Sequence, residues 1–186
     1  MKCSTTGFEG VLLIEPVVID DNRGFFMECY VRKEFEKFGI TAEFVQDNHS
    51  LSTAKGTIRG MHYQIHPKAQ SKLVRVVKGE ILNVVVDIRK GSPSYGKWLG
   101  HDLSAANKKL LFIPKGFANG YCTMADDTEI CYKVDEYYAP EFDRAFRWND
   151  PQIKIDWPLS DPILSERDRQ APDLSGVENN FVYEGS

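Results

Sequence analysis

No stretch of this chain is apolar for long enough to cross a bilayer. No basic block or stripe stands out, and the formal net charge is −4, which argues against double-stranded nucleic acid as a main partner. The four cysteines, Cys3, Cys29, Cys122 and Cys131, form no Cys-x-x-Cys pair, so cysteine spacing offers no zinc site. They read as reduced thiols packed as small apolar groups. A glycine-rich phosphate loop and the βαβ alternation of a Rossmann fold are both missing. So are internal repeats, low-complexity segments and linkers, which predicts one domain over residues 1–186. Residues 1–7 lack an apolar signal core, and this predicts a cytoplasmic protein.

What is present is an ordinary globular composition, 42% hydrophobic and 27% charged, laid out mostly as short strands between turn residues. Segments 11–14 and 17–19 flank Pro16, and 24–30 follows a turn at 20–23. Segments 72–77, 109–113 and 129–134 also read as strands. Segment 80–88 alternates most cleanly, with Leu82, Val84, Val86 and Ile88 on one face and Asn83, Val85 and Asp87 on the other. Residues 32–38 are predicted helical, with Phe35 and Phe38 at helical spacing and Gly39 as the stop. Ser165 is placed to N-cap a helical turn beginning near Glu166. The expected fold is all-β, a jelly roll with a few short helices, because that arrangement closes most strand edges.

The chemistry concentrates in Arg59-Gly60-Met61-His62-Tyr63-Gln64. A possible base, His62, lies close to Arg59 and to Lys72, which opens the next strand. Such a set is costly to bury without purpose, and it suits deprotonation beside a carbonyl in a substrate that also carries phosphate. In a regular strand Arg59 and His62 would point to opposite faces, so both reach one pocket only if the chain bulges, and Gly60 is the place for it. Asp168 is a candidate orienting carboxylate for His62. Tyr132 shares a strand face with Ile130 and Val134, where it is either a core tyrosine or a neutral phenolic acid facing His62 across the interior. A His-x-His metal pair is absent, since Gln64 follows His62 at that spacing. The later Pro114-Lys-Gly-Phe-Ala-Asn119 run carries asparagine where a second metal-binding histidine would stand. No metal or other cofactor is expected.

In order along nearly the whole chain come Asp21-Asn-Arg23-Gly-Phe-Phe26-Met-Glu28, Val45-Gln46-Asp47-Asn48-His-Ser50, Ile58-Arg59-Gly60-Met-His62-Tyr-Gln64 and Gln70-Ser-Lys72-Leu-Val-Arg75. They are followed by Ile113-Pro-Lys-Gly116-Phe-Ala118, Trp148-Asn-Asp150-Pro151 and Leu164-Ser-Glu-Arg-Asp168. Together they resemble the dTDP-4-dehydrorhamnose 3,5-epimerases. The resemblance implies a metal-free, cupin-type double-stranded β-helix that works as a homodimer, each site taking part of its wall from the partner's N-terminal region. It implies a nucleotide-linked 4-keto-6-deoxy sugar as substrate. His62 would match the base, with Asp168 behind it. Lys72 would match the cation at the enolate oxygen, and Tyr132 the acid on the opposite face. Arg59 would match a pyrophosphate contact. Arg23, Glu28, Gln46, Asp47 and Asn48 match nucleotide-binding positions, and Tyr138 and Phe26 match the aromatics around the base. Arg167 stands where a substrate-contacting lysine is usual, and Asp143 where a glutamate is common. Asn119 and Asn83 depart from the histidine and aspartate usual at their positions. That paired change also fits a single-centre epimerase or ketoisomerase of a related sugar nucleotide. A non-catalytic sugar-binding cupin is the remaining reading.

Overall fold

The computed structural model describes residues 1–185. Its strands are β1 (Lys2–Thr5), β2 (Leu12–Glu15), β3 (Val18–Asp21), β4 (Gly24–Met27), β5 (Gln46–Ser52), β6 (Ile58–Gln64), β7 (Lys72–Lys78), β8 (Glu80–Asp87), β9 (Trp98–Ser104), β10 (Leu110–Ile113), β11 (Phe117–Thr123), β12 (Thr128–Val134) and β13 (Asp143–Ala145). Two short helices, α1 (Arg32–Glu36) and α2 (Glu166–Gln170), interrupt them. None of these helices is long and apolar enough to cross a membrane.

The strands form a six-stranded sheet in the order β1-β2-β10-β7-β12-β5 and a five-stranded sheet in the order β13-β6-β11-β8-β9. All ladders within them are antiparallel. This is the expected jelly roll, built from two facing sheets. Strands β3 and β4 form a separate hairpin, and its Val17, Ile19, Phe25 and Phe26 are exposed.

Three apolar clusters hold the layers together. Val74, Val76, Ile81, Val85, Leu111 and Ile130 meet in the interior between the sheets. The outer face of the five-stranded sheet, with Ile58, Met61, Val84 and Val86, is covered by Phe146, Ile155 and Trp157 from the C-terminal part of the chain. The outer face of the six-stranded sheet packs Ile14, Leu73 and Leu110 against Phe35 and Ile40. The alternation of residues 80–88 therefore sorts Val84, Val86 and Ile88 into the outer cluster and Val85 into the interior. Both faces are apolar because both are covered.

Helix α1 is shorter than the expected 32–38. Phe35 is buried, whereas Phe38 lies in the turn that Gly39 closes at φ +79°. Ser165 caps α2 as expected, its hydroxyl accepting from the Asp168 amide at 3.1 Å.

Candidate active site

Strand β6 carries the expected irregularity. His62 pairs with Asn119 and Arg59 with Tyr121, so three steps on β6 face two on β11. Gly60 sits in that bulge at φ +137°, where a Cβ would come within 2.5 Å of the Gly120 Cα. The extra residue resets strand parity. Met61 joins the outer core, while Arg59 and His62 both line one interior cavity of about 480 Å³.

Lys72 from β7 and Tyr132 from β12, in the opposing sheet, line the same cavity. A second hollow of about 330 Å³ shares His62, Lys72, Tyr132 and Arg167 with it and extends to Gln46, Asn48, Tyr138 and Asp143. These two hollows, with their four shared residues, make up the cleft.

His62 Nε2 meets Asp168 Oδ1 at 2.5 Å. The His62 side chain is 28% exposed and that of Asp168 only 3%, so the imidazole reaches the cleft while its carboxylate stays behind it. Burial alone would raise the Asp168 carboxyl. The His62 bond and charge, the Ser165 contact and the Gly60 backbone outweigh that and hold it below the usual carboxylate range. An ionised carboxylate at Nε2 favours the proton on that nitrogen, which leaves Nδ1 with its lone pair as the basic atom.

Lys72 Nζ lies 3.5 Å from the His62 carbonyl oxygen. Burial pushes its ammonium down to about 8, with Asp143 pulling it up and Arg167 pushing it further down. Burial also raises the Tyr132 phenol, reinforced by Tyr121 and opposed by Arg59. Its hydroxyl therefore carries a proton at neutral pH. The cleft thus holds a base, a cation and a neutral acid on walls contributed by both sheets.

Around this centre, Arg59 is braced by Ser52 Oγ at 3.1 Å and the Leu51 carbonyl at 2.9 Å. Arg167 pairs with Asp143 at 2.9 Å, and Tyr138 donates to the same carboxylate at 3.2 Å. The Gln46 side chain accepts from the Tyr138 amide at 3.0 Å. Gln64, at the position where a metal-binding histidine would stand, is occupied with backbone: it donates to Lys68 and Tyr137 and accepts from Ala139.

Four of the expected site residues are elsewhere in this chain. Asp47 alternates with Gln46 and Asn48 along β5, so it turns to the outer face and pairs with Lys133 at 2.7 Å. Arg23 is on the exposed β3–β4 turn, bonded to Asp21. Phe26 and Glu28 line a separate surface hollow with Val17 and Ile19. Asn119 does line the cleft, but its amide nitrogen is turned inward, to Asn83 Oδ1 at 2.8 Å and the Val84 carbonyl at 3.0 Å. Its amide nitrogen is therefore committed within the protein. Among the lining residues given no role from the sequence are Ser50, which shares β5 parity with Asn48, and Tyr121, whose hydroxyl lies 3.4 Å from Ser50 Oγ. The β5 parity rule would have found the first.

Residues 5–176 match the family model described as dTDP-4-dehydrorhamnose 3,5-epimerase. A dTDP-4-dehydrorhamnose 3,5-epimerase of Shigella flexneri is 51% identical over 169 residues, covering 90% of this chain and 93% of the relative. A solved dTDP-4-dehydrorhamnose 3,5-epimerase of Bacillus anthracis, with TDP and PPi bound, superposes with a TM-score of 0.91 at 49% identity, covering 92% of this chain and 98% of that one. A dTDP-6-deoxy-D-glucose-3,5-epimerase of Legionella pneumophila, solved in complex with dTDP-4-keto-L-rhamnose, gives 0.94 at 41% identity, with 99% of each chain covered. With these matches spanning nearly the full length and the cleft assembled as described, the chain belongs to the dTDP-4-dehydrorhamnose 3,5-epimerase family.

Proposed function

We propose that this chain epimerises a nucleotide-linked 4-keto-6-deoxy sugar at C3 and C5, converting dTDP-4-dehydro-6-deoxy-D-glucose to dTDP-4-dehydro-L-rhamnose. The observation that carries the reading is the His62–Asp168 pair in a cleft that also presents Lys72 and Tyr132. The C4 ketone acidifies the protons on the adjacent carbons. His62 Nδ1 takes such a proton, and the C–H electron pair moves into an enolate. The negative oxygen is stabilised by the Lys72 ammonium, a charge already in place before reaction. Tyr132 gives its proton to the same carbon from the other face, which inverts the centre. Solvent then reloads the phenolate and relieves the imidazolium. Arg59 offers a guanidinium fork for the pyrophosphate, and Tyr138 an exposed ring for the base.

The working unit is a homodimer in this reading. Arg23, Phe26 and Glu28, on or beside the hairpin, line neither hollow of their own chain's cleft, and the apolar face there, with Val17 and Ile19, lies open. A partner's cleft is the destination that gives these side chains both cover and a role. The four unpaired cysteines fit a reducing, cytoplasmic setting.

Incubation with dTDP-4-keto-6-deoxyglucose in D2O tests the reading. Deuterium should enter at both C3 and C5, and absence of label at either carbon sinks the proposal. Label at C3 alone would make the chain a single-centre epimerase, and migration of the keto group a ketoisomerase.

A further inference from the structure

Asn119 stands across the β6–β11 ladder from His62, in the wall of the cleft. Its Nδ2 donates to the Val84 carbonyl oxygen at 3.0 Å and to Asn83 Oδ1 at 2.8 Å. A backbone carbonyl only accepts, so the orientation of this amide is set by chemistry rather than by choice of flip. Asn83 must then turn its oxygen to Asn119. Its own amide nitrogen, in a residue with no exposed surface, is left without a partner. The other buried polar side-chain atom without a partner among the described residues is His101 Nε2. His101 is the residue directly opposite Asn83 in the β8–β9 ladder.

The two orphans are complementary. A neutral imidazole protonated on Nδ1 offers at Nε2 the acceptor that the Asn83 amide lacks. Burial lowers the His101 imidazole, against a smaller upward pull from Asp102, and this favours the neutral ring. A hydrogen bond from Asn83 Nδ2 to His101 Nε2 would make one directional series, each amide donating to the next: Asn119 to Asn83 to His101. With its nitrogen committed inward, Asn119 has one polar side-chain atom left for the cleft, Oδ1, which has no protein partner and is not among the buried orphans.

We propose that Asn119 presents Oδ1 to the bound sugar as a neutral acceptor for a ring hydroxyl, at C2 or C3, and that Asn83 and His101 are positioning residues that hold it in that sense. The inference rests on the sugar-nucleotide reading above and deepens it. An acceptor cannot serve the substrate ketone or its enolate, so Lys72 is the group left to meet that oxygen. Asn119 instead selects sugars that carry a hydroxyl to donate.

The test has two arms. In 15N-labelled protein at pH 7, with the His101 ring assigned by its loss in His101→Leu, the proton should sit on Nδ1 and Nε2 should be bare. A ring protonated on Nε2, alone or as imidazolium, overturns the series. In the kinetic arm, dTDP-4-keto-6-deoxyglucose is compared with its analogues lacking the C2 or the C3 hydroxyl. For the wild type, one analogue should lose roughly tenfold in kcat/KM, the cost of an unmet hydrogen bond. Asn119→Ala should lose as much on the parent substrate, mainly through KM, and nothing further on that analogue. Losses that multiply for both analogues overturn the contact. His101→Gln retains an acceptor and should keep the wild-type KM, whereas His101→Leu should raise it; equal behaviour of the two overturns the positioning role. If the wild type does not turn over the parent sugar nucleotide, the functional reading fails by itself, and the His101 tautomer still decides the orientation of the amides.

Discussion

His62 Nε2 and Asp168 Oδ1 lie 2.5 Å apart, with the carboxylate on a helix that no strand of either sheet supplies. The pair links the N-terminal half of the chain to its C-terminal segment, and it decides which imidazole nitrogen is basic. Asp168→Asn is nearly isosteric, yet an amide NH2 facing Nε2 favours the proton on Nδ1, the wrong tautomer for a base at that atom. The exchange rate in D2O should fall by roughly a hundredfold to ten-thousandfold, the usual range for a positioned general base, while circular dichroism stays unchanged. The same bond predicts a pH effect on stability. The Asp168 carboxyl is held below its unfolded value in the native state, so its contribution is present above the ordinary carboxylate range and is lost as pH falls through the lowered native value. In Asp168→Asn, denaturant midpoints should show a weaker acid dependence.

Lys72 predicts the alkaline side of the rate profile. Its ammonium is pushed down to about 8, so the cation is present at neutral pH and is lost above that value. The logarithm of kcat/KM, which reports the free enzyme, should bend downward near pH 8. Asp143 supports the charge, so Asp143→Asn should move this limb to lower pH. An unmoved limb in that variant would remove Lys72 as its cause.

Tyr132 and His62 come from opposing sheets, which allows proton removal and return to be separated. In Tyr132→Phe the base is intact. Deuterium should still enter the substrate with retention, from the His62 face, while the inverted product falls by roughly a hundredfold or more. Nuclear magnetic resonance of the recovered sugar nucleotide distinguishes the two. Equal loss of exchange and inversion would deny Tyr132 the part of acid.

Gly60→Ala tests the bulge. The residue sits at φ +137°, and its new Cβ would collide with the Gly120 Cα at 2.5 Å. The expected cost is about 1–3 kcal/mol or more in the chemical-denaturation free energy, together with loss of activity as Arg59 and His62 part. That bulge was legible in the sequence because two residues that belonged in one pocket had the wrong spacing for a regular strand. The Ser165 cap and the alternation of residues 80–88 were legible for equally local reasons. Strand β5 was not. Its inward residues, Gln46, Asn48, Ser50 and Ser52, are polar, and Leu51 faces outward, so the usual hydrophobic alternation is inverted where the strand lines the site. Strand β11 is buried throughout, yet Asn119 and Gly120 in its middle are residue types that favour turns, so its sequence does not announce a strand. Asp47 stands between Gln46 and Asn48 in the motif, and strand parity turns it to the outer face of β5, which neighbours along the chain do not reveal. The inward turn of the Asn119 amide needed Val84 from another strand to define it.

The hairpin residues give the last prediction. Arg23 and Phe26 belong to the nucleotide-binding set by resemblance, yet they lie on a hairpin outside the cleft of their own chain. If each hairpin serves the partner's cleft, a variant lacking the base and a variant lacking the hairpin contacts are defective in different sites. His62→Ala and the double variant Arg23→Ala with Phe26→Ala should each be poorly active alone. After mixing, unfolding and joint refolding, the heterodimer contains one cleft with both His62 and an intact hairpin, so activity should return to a fraction of the wild-type value that grows with the share of heterodimer. Refolding each variant separately and then combining them controls for simple addition. A mixture no more active than the sum of its parts, in material shown by sedimentation to be dimeric, would place Arg23 and Phe26 outside the partner's site.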